Sequence, residues 1–310
     1  RKRDFYNKLL EESEKTNLRC FTMAMVKSPL RYLGGKSKAL RFLENFIPDF
    51  KEFRELMCGG ASMTLYFAPK RPSARFIMSD INYDLFCFWR ELKERPDKLI
   101  REIKLIKKNF KEGRKLFEEL LVRRALNLDC FQRAVDFFVL NRITFSGTVD
   151  CVGYSEEAFK KRFTESSIER LWAVSNVLQR IELYYGDYEH LLNLPGNEVF
   201  IFLDPPYYSA TASKLYGRKG SLHTGFDHER LASLVKECPH KLMVTYDNSQ
   251  YIRNLYRGFY MVEWRLKYGM TNYGRDYLRE GDELLIANYP IKGSFKAPQK
   301  HAVSKILYDA

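Results

Sequence analysis

Residues 199–207, Val-Phe-Ile-Phe-Leu-Asp-Pro-Pro-Tyr, decide the fold class of this chain. Five consecutive apolar or aromatic side chains predict a strand that is buried on both faces of a parallel sheet. Asp204 follows this strand directly, at its carboxyl end. Because ligands of open α/β sheets lie beyond the carboxyl ends of the strands, the stretch predicts an α/β fold with a ligand cleft beside Asp204.

The four residues after the strand are predicted to be catalytic. Pro205 and Pro206 fix the backbone and remove two N–H donors, so their carbonyl groups can only accept hydrogen bonds. Asp204 and the Pro205 carbonyl can then accept both protons of a planar –NH₂ group, while the ring of Tyr207 stacks on the base that carries it. The alternative is an ordinary strand followed by a Pro-Pro turn, so the motif needs a cofactor site nearby.

The composition favours a polyanionic partner. The net charge is +13, and 23 phenylalanines and 20 tyrosines supply surfaces for stacking, which together favour nucleic acid over a merely basic enzyme. No apolar run is long enough to span a membrane, and the run 20–26 is too short for a signal peptide, so we expect a cytoplasmic protein. The six cysteines form no metal-binding spacing and are expected to be reduced thiols, with neither a disulfide nor a metal.

Two motifs upstream predict a nucleoside site. Gly34-Gly35-Lys36 precedes a helical pattern, and such a turn lets backbone N–H groups and a lysine approach an anion or a carboxylate. Farther on, a short strand ends at a turn that contains Gly59 and Gly60, and Asp80 ends the next strand. An acid at that position binds ribose hydroxyls. The turn is not a full G-x-G-x-x-G, so S-adenosylmethionine fits better than a dinucleotide.

Helical patterns without strands fill residues 93–177 and predict an inserted, basic helical subdomain. Within it, residues 141–154 are β-branched and punctuated by glycine, which predicts a hairpin that contacts a duplex, although an ordinary hairpin would have the same pattern. The candidate DNA-binding residues are Asn141, Arg142, Thr144, Phe145, Ser146 and Asp150. The remaining chain is divided into an N-terminal extension (1–27), a catalytic domain (28–92 and 178–290) and a C-terminal tail (291–310).

The order of these motifs resembles the Dam-type DNA adenine methyltransferases. Pro-Leu-Arg-Tyr-Leu-Gly-Gly-Lys (29–36), Phe-Arg-Glu-Leu-Met-Cys-Gly-Gly-Ala-Ser (53–62), Ser-Asp-Ile-Asn (79–82), Gly-Asp-Tyr (186–188), Asp-Pro-Pro-Tyr (204–207) and Phe-Asp-His (226–228) occur colinearly between about 29 and 289. The resemblance implies a seven-stranded, Rossmann-like class I methyltransferase sheet with an inserted helical target-recognition subdomain.

The resemblance also assigns roles residue by residue. It implies that S-adenosylmethionine binds at Tyr32, Lys36, Glu55, Gly59, Gly60, Asp80, Asp187 and Asp204, and that S-adenosylhomocysteine is the product. Three positions depart from the family pattern. Met57 stands where the family usually has phenylalanine, Tyr32 stands where many members carry tryptophan, and Asp150 stands where members that read GATC commonly carry arginine. An acid cannot replace a bidentate donor to guanine, so GATC specificity does not carry over.

The sequence therefore predicts a site-specific methyltransferase that modifies the exocyclic amine of a flipped-out adenine in double-stranded DNA. A companion restriction endonuclease is an expected partner. Two alternatives stay open: the same catalytic motif suits an RNA adenine or a protein amide-nitrogen methyltransferase, and a decayed enzyme would be a non-catalytic DNA-binding regulator. The large basic insert favours DNA.

Overall fold

The strand that ends before Asp204 lies inside an eight-stranded sheet in the computed structural model of this chain. The structure describes residues 26–32, 34–147, 149, 153–210, 225–267 and 280–296. The predicted N-terminal extension lies outside the described residues except for residues 26 and 27, and Asp150 and most of the predicted tail lie outside them as well.

The sheet is mixed, with a parallel half and an antiparallel half. Its strands are β1 (Glu52–Leu56), β2 (Arg75–Asp80), β3 (Ile181–Tyr185), β4 (Val199–Leu203), β5 (Lys241–Asp247), β6 (Tyr260–Lys267), β7 (Glu280–Ala287) and β8 (Phe295–Lys296). Their order across the sheet is β3-β2-β1-β4-β5-β7-β6-β8. Strands β1 to β5 run parallel, whereas β7 is antiparallel to both β5 and β6. This is the predicted class I methyltransferase fold.

The predicted number of seven strands is one too low. The additional strand, β8, has only two residues, and they pair with Met261 and Tyr260 at the start of β6. A two-residue strand at the edge of a sheet has no apolar alternation of its own, so its sequence gives no strand signal.

Helices cover the sheet and fill the insert. They are α1 (Leu40–Glu44), α2 (Ser62–Lys70), α3 (Tyr83–Glu94), α4 (Pro96–Asn109), α5 (Gly113–Arg124), α6 (Cys130–Ile143), α7 (Glu156–Arg162), α8 (Glu165–Leu178), α9 (Glu189–Leu192), α10 (His228–Glu237) and α11 (Gln250–Leu255). Within the described ranges, no helix combines the length and the apolar character that a membrane span requires.

The chain between β2 and β3 is helical, as its pattern predicts. Local capping explains where two of these helices begin. Asp129 accepts a hydrogen bond from the Gln132 amide at the start of α6, and Thr164 accepts one from the Ser167 amide at the start of α8. Each pair forms a reciprocal capping box, which satisfies amide groups that have no partner inside the helix.

The core lies on both faces of the sheet, and β4 contributes to each. Phe200 and Phe202 pack into the face shared with α3, α6 and α8, whereas Ile201 and Leu203 pack into the face shared with α10. All five residues of β4 are buried. The prediction of a strand buried on both faces is therefore confirmed.

The prediction that all six cysteines are reduced thiols is wrong for one pair. Cys87 on α3 and Cys130 on α6 form a disulfide across 43 residues of sequence. Helices α3 and α6 pack closely against each other, which brings the two sulfurs together. No spacing rule reports such a contact because it depends on how two distant helices pack. Cys58 and Cys238 are buried free thiols.

We expect Phe53→Ala to destabilise the fold strongly. Phe53 is fully buried in β1, and its ring centroid lies 5.3 to 5.7 Å from those of Phe50, Phe67, Phe76 and Phe200. Truncation leaves a cavity among these rings and should lower the free energy of unfolding by about 3–5 kcal/mol in denaturant titrations. The matched control is Val122→Ala on α5, where the side chain is 68% exposed and the change should stay within about 0.5 kcal/mol. Equal changes in the two variants would contradict this account of the core.

Candidate active site

The predicted catalytic motif forms a rigid corner at the carboxyl edge of the sheet. Hydrogen-bonded pairing with β1 and β5 ends at Leu203, and Asp204 follows outside the strand with its side chain 22% exposed. Pro205 is buried, while Pro206 and Tyr207 are partly buried. A carboxylate, a fixed backbone and an aromatic ring therefore meet at the carboxyl edge of the sheet, where open α/β sheets bind their ligands.

Lys36 and Thr245 hold the carboxylate of Asp204. The ammonium group of Lys36 donates to Oδ1 at 2.7 Å and to Oδ2 at 2.9 Å, and it also donates to the Gly34 carbonyl at 2.8 Å. The Thr245 hydroxyl donates to Asp204 Oδ1 at 2.6 Å. An ammonium group has three N–H donors, so all three are used within the protein. The Gly-Gly-Lys motif thus brings its lysine to a carboxylate, and that carboxylate is Asp204.

Two further acids hold the residues that follow the prolines. Asp247, at the end of β5, accepts hydrogen bonds from the amides of Tyr208 at 2.8 Å and Ser209 at 3.2 Å. Glu283, on β7, accepts a hydrogen bond from the Tyr207 hydroxyl. Thr245, Asp247 and Glu283 are not among the site residues predicted from the sequence. For the two residues of β5 a signal exists, because β5 is a strand whose carboxyl end must lie at the same edge as that of β4.

The glycine turn after β1 lies against the acid that ends β2. The Gly59 amide donates to Asp80 Oδ2 at 2.9 Å, and the Asn82 amide donates to Oδ1 at 2.9 Å. Gly59 has φ +47°, and a Cβ there would lie 2.7 Å from the ring of Tyr32. Only glycine permits this approach without displacement of the ring. Four of the predicted cofactor residues, Tyr32, Gly59, Gly60 and Asp80, are therefore close together.

Glu55 and Asp187 are placed differently from the other predicted cofactor residues. Glu55 is buried, and its carboxylate accepts hydrogen bonds from the amides of Met63 at 3.3 Å and Thr64 at 2.7 Å, at the start of α2. It therefore fixes the helix that follows the glycine turn. Asp187 is exposed and pairs with both terminal nitrogens of Arg230, at 2.9 and 3.1 Å.

The predicted hairpin at 141–154 is only partly present, and three of its residues point into the protein. Asn141, Arg142 and Ile143 belong to α6, and the described strand pairing is the single bridge between Thr144 and Tyr154. Asn141 and Thr144 are fully buried and Arg142 is 5% exposed. The predicted DNA contacts of Asn141, Arg142 and Thr144 do not fit this placement.

Asn141 and Arg142 instead connect the turn at 145–147 to the segment that leads into the Gly-Gly-Lys motif. Asn141 exchanges two hydrogen bonds with the backbone of Arg31, each 2.9 Å long, and also donates to the Gly147 carbonyl. Arg142 donates to the carbonyl groups of Pro29 and Arg162. The Thr144 hydroxyl donates to the Leu140 carbonyl. They position the turn and do not reach its surface.

The short helical turn Phe145–Gly147 contains Phe145 and Ser146, the two described candidate DNA-binding residues that are at least partly exposed. Phe145 is 47% exposed, and Ser146 adopts φ +54°. Gly147 is buried with φ +74°, and a Cβ there would lie 2.2 Å from the carbonyl oxygen of Arg31. The turn thus rests directly on the segment that carries Tyr32 and Lys36. Asp150 lies outside the described residues.

Burial makes two glutamates near the corner difficult to ionise. Burial raises the pKa of Glu283 to about 7; Asp204 and Asp247 add to this increase, whereas Lys36 and the Tyr207 hydrogen bond oppose it. Burial likewise raises the pKa of Glu55 to about 7, against the hydrogen bonds from Thr64 and Met63. Each buried carboxyl group therefore binds its proton more tightly in the folded chain than in the unfolded chain.

The raised pKa of Glu283 predicts that the contribution of this residue to the free energy of unfolding falls as the pH rises from about 5 to 8. An unfolded glutamate releases its proton near its ordinary pKa of 4.5, whereas folded Glu283 retains it to about 7, so folding becomes less favourable across that window. Glu283→Gln removes the ionisation and keeps an oxygen for Tyr207. We expect denaturant titrations to show that the free energy of unfolding of the variant, relative to that of the wild type, rises by about 1–3 kcal/mol between pH 5 and pH 8. A difference that stays constant with pH would contradict the buried-acid assignment.

Comparisons with known proteins agree with this geometry. The family described as D12 class N6 adenine-specific DNA methyltransferase matches residues 32–270. The type II methyltransferase M.MjaIII of Methanocaldococcus jannaschii is 28% identical over 292 residues, which cover 85% of this chain and 99% of that protein. The type II methyltransferase M.CviBI of Paramecium bursaria Chlorella virus NC1A is 24% identical, with coverages of 86% and 99%.

A DNA adenine methylase of Vibrio cholerae serotype O1 is 25% identical over 249 residues, which cover 74% of this chain and 84% of that protein. The family match begins at Tyr32 and spans β1 to β6, so it includes the glycine turn, the helical insert and the Asp204 corner. The chain belongs to the D12 class of N6 adenine-specific DNA methyltransferases.

Proposed function

We propose that this adenine-specific DNA methyltransferase transfers the methyl group of S-adenosylmethionine to the exocyclic amine of an adenine flipped out of duplex DNA. The observation that carries the proposal is the Asp204 corner. A carboxylate held by Lys36 and Thr245 stands beside the rigid Pro205 backbone and the Tyr207 ring, at the carboxyl edge of a methyltransferase sheet. These groups together suit a planar base that bears an –NH₂ group.

The residues around the glycine turn fit S-adenosylmethionine. Gly59 brings the backbone close to Tyr32, and Asp80 remains partly exposed at the end of β2. Each Asp80 oxygen accepts one backbone amide and keeps lone-pair capacity for a ribose hydroxyl. We assign cofactor binding to Tyr32, Gly59, Gly60 and Asp80. Glu55 supports this site indirectly, because it accepts hydrogen bonds from the first turn of the helix that follows the glycine turn. When bound, S-adenosylmethionine supplies an electrophilic methyl group on a sulfonium ion.

The corner activates the amine by accepting both of its protons. The lone pair of the adenine amine is delocalised into the ring, so the amine is a poor nucleophile. Asp204 and the Pro205 carbonyl accept one N–H each, which favours a pyramidal nitrogen and stabilises the positive charge that develops on it during attack. Lys36 and Thr245 keep the carboxylate oriented, and Tyr207 stacks on the base. The methylated ammonium group is acidic and loses its proton afterwards, so the corner needs no strong base.

The helical insert supports duplex DNA as the substrate. Exposed basic side chains lie on α4, between α4 and α5, at the start of α5 and on α7, among them Lys108, Lys111, Arg114, Lys160 and Lys161. Such groups bind phosphates, so DNA binding should fall steeply as salt concentration rises. Two relatives are named type II methyltransferases, which supports a companion restriction endonuclease as partner. Action on DNA also supports a location with the cellular DNA.

Labelled S-adenosylmethionine distinguishes the candidate substrates. The protein is incubated with unmodified genomic DNA, with RNA and with a protein extract, and modified adenines in the DNA are mapped by sequencing. We expect label in DNA, at adenines within one recurring sequence. Label confined to RNA or to protein would overturn the proposal, and so would DNA binding without any transfer of label.

Asp204→Asn tests the catalytic role of the carboxylate. The amide keeps the size of the side chain but can present an N–H group to the amine, so we expect turnover to fall at least 100-fold, on the order expected for loss of a preorganised acceptor. Asp204→Ala should abolish turnover. Cofactor and DNA affinity, measured by calorimetry and by fluorescence anisotropy, should change little in Asp204→Asn. Asp97→Asn, at an exposed position on α4, is the matched control. Turnover by Asp204→Ala at the wild-type rate would refute the assignment.

Phe145→Ala tests whether the exposed ring wedges into the base stack. Unstacking a base from a duplex costs a few kcal/mol, and a wedge residue lowers that cost only where a stack exists. We expect kcat/KM to fall by on the order of tenfold on duplex DNA and by less than about threefold on a single strand that contains the same site. Equal losses on the two substrates would rule out the wedge.

A further inference from the structure

Tyr207, the ring proposed to stack on the target base, is hydrogen-bonded through its hydroxyl group to strand β7, in the antiparallel half of the sheet. The hydroxyl donates to Oε2 of Glu283, a residue of β7 that is 1% exposed. The second oxygen, Oε1, is also buried and has no hydrogen-bond partner among the residues that the structure describes. Glu283 is therefore a buried acid whose one described side-chain hydrogen bond is to the stacking ring.

The register of the sheet brings Glu283 to this position. Glu283 pairs with Asp247 of β5, and Asp247 accepts hydrogen bonds from the amides of Tyr208 and Ser209. Two acids on neighbouring strands thus hold three consecutive residues, from the Tyr207 ring to the Ser209 backbone. The Lys36 ammonium lies 5.0 Å from the centroid of the same ring. Tyr207 is fixed at its backbone by the prolines and at its hydroxyl by Glu283.

This arrangement is unfavourable for stability, which argues for a role in the reaction. A buried carboxyl group with one unpaired oxygen carries a desolvation penalty, and replacement of such a polar pair by apolar groups of the same shape is often neutral or stabilising. A phenylalanine facing an apolar residue would fill the same space. The polar pair differs from that arrangement because its hydrogen bond fixes the orientation of the Tyr207 ring, whereas apolar packing only fills the space.

We propose that Glu283 is a positioning residue for methyl transfer. It holds the Tyr207 ring in the orientation on which the target adenine stacks, so that the amine of the base reaches Asp204 and the Pro205 carbonyl. This inference rests on the proposed function, and it adds a residue from the antiparallel half of the sheet to the site. Glu283 acts through Tyr207 and does not need to touch the substrate.

The test compares Glu283→Ala, Glu283→Gln, Tyr207→Phe and the double variant Glu283→Ala/Tyr207→Phe with the wild type. Glu263→Gln is the matched control, because Glu263 lies on the neighbouring strand β6 but is 55% exposed and pairs with Arg253. Three quantities are measured on a duplex that contains the mapped site: kcat, KM for S-adenosylmethionine, and the fluorescence of 2-aminopurine in place of the target adenine, which is quenched when the flipped base stacks on a ring.

We expect Glu283→Ala and Tyr207→Phe each to lower kcat by about tenfold to 100-fold through misplacement of the base, while KM for S-adenosylmethionine stays within about twofold. Glu283→Gln keeps an acceptor for the hydroxyl and should stay within about threefold of the wild-type kcat. The double variant should be no slower than the slower single variant, because both changes remove the same hydrogen bond. In the complex with Glu283→Ala, 2-aminopurine should fluoresce more strongly than in the wild-type complex, because the flipped base stacks less fully on the displaced ring.

Several outcomes would overturn the inference. Wild-type kcat in Tyr207→Phe does so even if Glu283→Ala fails to fold. Equal losses in Glu283→Gln and Glu283→Ala, or additive losses in the double variant, would also contradict it. Failure of the proposed function has a different signature, because the wild type itself would then transfer no label to adenine in DNA.

Discussion

The buried ion pair between Lys36 and Asp204 is the interaction on which the site and much of the fold depend. Lys36 is 2% exposed, so its charge is almost fully removed from water and requires the carboxylate 168 residues later in the chain. Removal of one partner from such a pair commonly costs 3–5 kcal/mol because the other charge remains buried. The helical insert lies between the two partners in sequence, so the ion pair joins the Gly-Gly-Lys segment to the end of β4 across most of the chain between them.

The sequence predicted the elements whose signals are local. The apolar run of β4, the prolines after Asp204, and the glycine turn followed by Asp80 each specify their own geometry, and the structure places all of them at one edge of the sheet. Glu283 has no such signal, because its role comes from an antiparallel register that joins β5 and β7 across a segment of about thirty residues. The apolar pattern that begins at Leu284 predicts a strand, but it does not predict that this strand pairs with β5.

The turn at 145–147 and the helix before it show a second reason why local patterns mislead. Asn141, Arg142 and Thr144 carry side chains typical of a surface that reads nucleic acid, yet α6 continues to Ile143 and turns them inward. Asn141 and Arg142 form hydrogen bonds with backbone groups of Arg31 and Pro29, so these polar side chains stabilise the packing of α6 against an N-terminal segment. The same residues fix Phe145 relative to Tyr32. The turn is therefore held directly against the segment that carries Tyr32 and Lys36.

The charges around Tyr207 match the chemistry that the family performs. In the described part of the corner, the Lys36 ammonium is hydrogen-bonded to Asp204, while Asp247 and Glu283 accept hydrogen bonds from the residues that follow the prolines. Methyl transfer from a sulfonium ion to an amine begins and ends with one positive charge, which moves toward the nitrogen as the new bond forms. In the proposed reaction the Asp204 carboxylate accepts from the amine on which that charge develops, so it stabilises the transition state more than the ground state. Glu283, whose pKa burial raises to about 7, contributes little charge of its own and acts through the orientation of the Tyr207 ring.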